Sequence, residues 1–187
     1  MSYDLFVFEP QEILRDRKTF LVWYEAQTDW APGTDYSDPG NASAPLKAWY
    51  VDMIVTFLPI NGPDRPPIDE IDQPPTADYC VGPKSIYVAF SGGNSGDAYE
   101  TVVSLATKHG LGFFDASGNG AVWFPTSTGA LEMLHEHQEN DPPGRMARWM
   151  AQALERGDAV QVQGEEEFVQ LVLSRAGKGP PHRAPGS

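Results

Sequence analysis

Apolar positions along the chain fall into short runs of two kinds. Residues 3–8, TyrAspLeuPheValPhe, are apolar on both parities of the alternation and stop at Pro10. That pattern predicts a first strand, internal to a sheet. From Glu12 to Gln27, Ile13, Phe20, Leu21, Val22, Trp23 and Tyr24 suit a helix with a broad buried face. Residues 28–45 hold loop chemistry throughout, rich in Asp, Gly, Pro and Ser. Apolar residues recur at helical spacing between Leu46 and Leu58, predicting a second helix stopped by Pro59. Residues 59–76 form a Pro- and Asp-rich connector, either a linker or an ordered loop across the surface.

The most regular stretch follows. Ala77–Val81 and Ser85–Phe90 read as strands joined by a turn at 82–84. Ala98–His109 reads as a helix closed by Gly110. Residues 111–115 and 121–125 flank AlaSerGlyAsnGly and predict a hairpin. Strand, helix and hairpin together make half of a ferredoxin-like unit. Further on, 127–138 and Arg145–Arg156 read as helices, 159–163 as a strand, and Glu165–Arg175 as a last helix. The fold class expected is α+β: a ferredoxin-like antiparallel sheet with helices packed on one face. A helical and strand extension would follow it. The divisions are a core domain at 1–125, an extension packed on it at 126–176, and a flexible tail at 177–187.

Composition narrows the class. The chain has 187 residues, 26 Asp and Glu against 13 Lys and Arg, and a net charge of −13. Such a charge repels nucleic acid phosphates and steers basic partners inward. Cys80 is the single cysteine, so no intramolecular disulfide forms and a reducing cytoplasm is the expected setting. The first residues carry neither a basic segment nor a long apolar run, unlike a signal peptide. No run approaches the roughly 18 apolar residues a membrane helix needs.

No set of residues is spaced for catalysis, so none is assigned a catalytic role and no cofactor is expected. His135-Glu136-His137 sits in an expected helix, where residues two apart point roughly 200° away from each other. Those histidines cannot share a metal there and could do so only if the segment were extended; no metal site is expected. Cys80 could be a nucleophile with His109 or His135 as base, but a lone Cys in an apolar strand reads as a buried small side chain. Asp115 reads as a turn cap rather than a general base. The loop Ser91, Gly92, Gly93, Asn94, Ser95 lies between a strand and a helix, where an anion could meet free backbone N–H groups. Its bland alternative is a turn with Ser95 as the helix cap. It holds no Lys or Arg.

Two acidic places suit a protein partner. Trp30 and Tyr36 stand in the first loop beside Asp29, Asp35 and Asp38. Aromatics ringed by acids suit a binding hot spot, although they could instead anchor the loop. Asp64, Asp69, Glu70 and Asp72 load the connector with charge that could dock a basic surface.

The opening TyrAspLeuPheValPhe and the run 99–125, from TyrGluThrValVal to AlaValTrpPhePro, resemble a group of small bacterial proteins encoded near polymorphic or type VI secreted toxins. The resemblance covers the first two thirds of the chain and transfers no catalytic residue. It implies an immunity role: a cytoplasmic protein that binds and blocks a toxin. Two rivals belong to other classes. One is a small-ligand-binding or enzymatic domain using the 91–97 loop. The other is a structural module that dimerises through its sheet.

Overall fold

A computed structural model describes residues 2–31, 33–67, 75–138 and 141, and the backbone of 159–163 and 169–173. The chain divides into two compact units, Met1–Glu139 and Asn140–Ser187. Among the described residues the first is an α+β unit built on a mixed seven-stranded sheet with three α-helices.

Strand β1, Ser2–Phe8, lies in the middle of that sheet. It pairs antiparallel with β4, Ser85–Ser91, on one side and with β5, Gly112–Phe114, on the other. Its alternation decides the layering. Leu5 and Val7 join one buried cluster, while Phe6 and Phe8 join another. All four are at most 1% exposed. A strand apolar on both faces needs a cover on each.

The covers are different helices. Helix α2, Ala44–Met53, and helix α3, Ser95–His109, bring Leu46, Trp49, Met53, Ala98, Val102 and Ala106 to the Leu5 face. Helix α1, Arg17–Gln27, brings Phe20, Leu21, Trp23 and Tyr24 to the Phe6 face. The Phe8 and Phe20 ring centroids are 5.1 Å apart, and those of Phe6 and Tyr24 are 5.0 Å apart. Helices therefore sit on both faces of the sheet, not on one. The reason is the pair Phe6 and Phe8, whose burial requires a second layer.

Two expected helices change their bounds. The stretch from Glu12 splits into a 3-10 turn, Glu12–Arg15, and then α1. Asp16 between them is extended, and its Oδ2 accepts from Thr19 N at 2.8 Å and from Thr19 Oγ1 at 2.7 Å. An Asp side chain satisfies orphan N–H groups at a helix start, so Asp16 favours the cap over the interior. Helix α2 stops at Met53 rather than at Leu58. Phe57 turns back, its N–H donating to the Met53 carbonyl at 2.9 Å, and its ring meets Phe90 at 4.9 Å. Leu58–Pro59 then forms β2, parallel to β3, Thr76–Val81. This parallel pair makes the sheet mixed rather than wholly antiparallel.

The hairpin appears. Phe113 pairs with Trp123 and Phe114 with Val122 of strand β6, Val122–Pro125. Both phenylalanines are buried, one in each cluster, because β5 also has a helix layer on either side. Gly112 is required by close approach: an added Cβ would lie 2.3 Å from the Phe8 ring. Gly110 closes α3 in the left-handed region at φ 64°, and Leu111 N donates to the Ala106 carbonyl at 2.9 Å.

The segment 127–138 is not helical. Leu131–His135 forms strand β7, antiparallel to β6 at the sheet edge. Thr126 N donates to the Ala130 carbonyl at 2.7 Å and Gly129 has φ 85°, which makes a tight reversal out of β6. Cross-strand pairing then outweighs the helix propensity of LeuGluMetLeu. The first unit therefore continues past residue 125 to Glu139.

In the second unit, β8, Ala159–Gln163, pairs antiparallel with β9, Val169–Leu173. The strand at 159–163 appears as expected, but the helix expected over Glu165–Arg175 gives way to a strand at 169–173, where a partner strand is in register. The expected helix Arg145–Arg156 and tail 177–187 lie outside the described residues. No helix among the described residues is long and apolar enough to cross a membrane.

Phe113→Ala and Phe114→Ala should each cost about 3–5 kcal/mol, measured by urea unfolding of the full chain. An unchanged midpoint for both would contradict the double cover of β5. Gly112→Ala should also lower the melting temperature, because the Phe8 ring has packed neighbours on its own face and cannot retreat freely.

Candidate partner-binding groove

The edge of β3 is where the fold meets the acidic loop. Beyond the short β2, no further strand pairs with this edge among the described residues. Side chains and loop backbone take its place. Ile60 N donates to the Ala77 carbonyl at 3.0 Å. The Asn61 amide then clasps Tyr79: Nδ2 donates to its carbonyl at 2.7 Å, and Oδ1 accepts from its N–H at 3.2 Å. Val81 N donates to the Tyr36 carbonyl at 2.6 Å. The start of the connector is thus an ordered loop. It lies against the first loop at Gly62, where an added Cβ would come 2.3 Å from the Ser37 carbonyl oxygen. Gly62 also needs its positive φ of 78°.

Docking at Val81 mounts Tyr36 between two acids. Asp35 Oδ1 accepts from Ser37 N at 2.8 Å and from Ser37 Oγ at 2.7 Å. Those bonds hold the Asp35 carboxyl below its usual pKa, the Ser37 hydroxyl contributing most. Asp38 Oδ1 accepts from Gly40 N at 2.7 Å, and Asn41 Nδ2 donates to the Asp35 carbonyl at 2.9 Å. The Tyr36 hydroxyl accepts from Ala31 N at 3.1 Å. Thr34, Asp35, Tyr36, Asp38, Asn41, Val81 and Pro83 line an open groove of about 370 Å³. Each Asp uses one oxygen inside the loop. An acidic groove lined in part by Tyr36 and Val81 can take a cationic side chain lying on apolar surface.

The sequence-predicted partner residues separate. Tyr36 lies in the groove. Trp30 is half-buried and sets its ring against Tyr87, centroids 5.5 Å apart at 78°, so it packs onto the sheet as a loop anchor. Asp64 is exposed and lies near Tyr50. Burial first, and the charge of Asp64 second, raise the pKa of the Tyr50 phenol. Asp69, Glu70 and Asp72 lie outside the described residues. Val81 and Pro83 were not legible as site residues, because their roles depend on where the β3 edge falls.

The glycine loop offers less. Ser91 ends β4, Gly92–Asn94 make a 3-10 turn, and Ser95 is already the first residue of α3. The cap position belongs to Asn94 rather than Ser95, and Asn94 makes no side-chain cap bond; its Nδ2 donates to Ser91 Oγ at 3.1 Å. A Cβ at Gly93 or Gly96 would meet open space. Asp97 occupies the first helical turn, where a bound anion would meet its charge.

The remaining candidates have structural partners. Cys80 is half-buried rather than buried and lies opposite Tyr87 in the sheet, and desolvation pushes its thiol up to about 12. His109 Nε2 lies 2.6 Å from Asp52 Oδ2, and Lys108 Nζ lies 2.8 Å from the same oxygen, which joins α2 to α3. These contacts, Lys108 first, lower the Asp52 pKa. His135 sits at the end of β7, not on a helix, and its Nε2 contacts the Arg15 carbonyl. Neither histidine is paired with Cys80. Asp115 is a turn cap, its Oδ1 accepting from Gly118 N at 2.8 Å. Among the described residues no group of three or more His, Cys, Asp or Glu is placed to hold a metal ion.

Comparison of the chain with protein-family models, with curated proteins and with solved structures finds no match.

Cys80 should resist Ellman's reagent at pH 8 in the folded protein and react fully in guanidinium; rapid reaction without denaturant would show an accessible thiolate. Carboxyl NMR should place the Asp35 and Asp52 midpoints below the ordinary value of about 3.9. A depressed folded pKa stabilises the fold above the ordinary value, and this stability disappears as pH falls through the depressed one. Both side chains should therefore stay ionised from neutral pH down to the ordinary carboxylate range. A midpoint at or above the ordinary value would remove the Ser37 bonds as the cause for Asp35.

Proposed function

We propose that this chain is a non-enzymatic acidic binding protein whose partner is a basic protein surface, and that it serves as a cytoplasmic immunity protein that blocks a secreted toxin. The observation that carries the binding part is the mounting of Tyr36 between Asp35 and Asp38 on the edge of β3. Preorganised carboxylates around an aromatic lose little entropy on binding, and the net charge of −13 steers a cation toward them. The toxin part rests on the sequence resemblance, and the compartment on the single cysteine. In this reading Asp64, Asp69, Glu70 and Asp72 add to the charge that attracts the partner, and Trp30 holds the loop that presents Tyr36.

The frame belongs to the proposal as well. We read β1, β3, β4 and β5 as ferredoxin-like. The order β3-β4-β1-β5, with every neighbour antiparallel, supports that reading. The helix on the second face and the added strands β2, β6 and β7 depart from it.

Surface-based kinetics against the product of the adjacent gene, at two salt concentrations, tests the function. Tyr36→Ala should speed dissociation by an amount on the order of 2 kcal/mol, roughly 30-fold. Neutralising Asp35 and Asp38, or Asp64, Asp69, Glu70 and Asp72 together, should slow association and flatten its salt dependence. If the neighbour does not bind, or if binding is indifferent to all these changes, the proposal falls.

A further inference from the structure

We draw no further inference here: the strongest candidate, the outer edge of strand β7 with Met133 45% exposed on it, carries nothing, because nothing in the structure shows what covers it.

Discussion

Burial of β1 on both faces is the constraint from which the rest of the first unit follows. Leu5 and Val7 cannot be removed from water unless a layer lies on one side, and Phe6 and Phe8 require a layer on the other. Helices α2 and α3 meet the first demand, and α1 meets the second. The same argument extends to β5, where Phe113 and Phe114 divide between the two clusters. It also explains Gly112, the only residue small enough to let the Phe8 ring lie against the β5 backbone. Aromatic edge contacts then set the geometry of the second layer, since Phe8 meets Phe20, Trp23 and Phe124 at centroid distances between 5.1 and 5.7 Å.

A sheet with a strong centre leaves its margins to be managed. An open β3 edge would expose a row of backbone donors and acceptors. Here Pro59 ends the two-residue β2, and Asn61 and the Tyr36 carbonyl satisfy positions beyond it. Sealing the edge and presenting the acidic loop are therefore one arrangement. The hydrogen bond that occupies Val81 also holds Tyr36 in place, and the Asp35 and Asp38 turns stiffen the backbone on either side of it. A loop rich in Asp, Gly and Pro is held by the hydrogen bonds of Asp35, Asp38 and Asn41 and by the Tyr36 hydroxyl.

What could be read from the residues in order was local. Tyr3–Phe8 shows its two-sided burial in its own composition, and Ser85–Phe90, the α3 region, Gly110 and the 111–125 hairpin carry propensity and turn chemistry that agree with their neighbours. The acids around Tyr36 were legible too, because charge beside an aromatic needs no knowledge of the fold. The tertiary structure decided the matters that depend on pairing at a distance. LeuGluMetLeuHis has helix-favouring residues, yet it became β7 because β6 offered an edge to pair with, the register shifting once between Val122 and Trp123. Val169–Leu173 became β9 for the same reason, with β8 as the partner. Val81 and Pro83 entered the candidate groove only once the β3 edge was placed beside residues 34–41. Strand pairing and edge sealing join residues far apart in the chain, and no local period or motif encodes which distant segment will supply the missing hydrogen bonds.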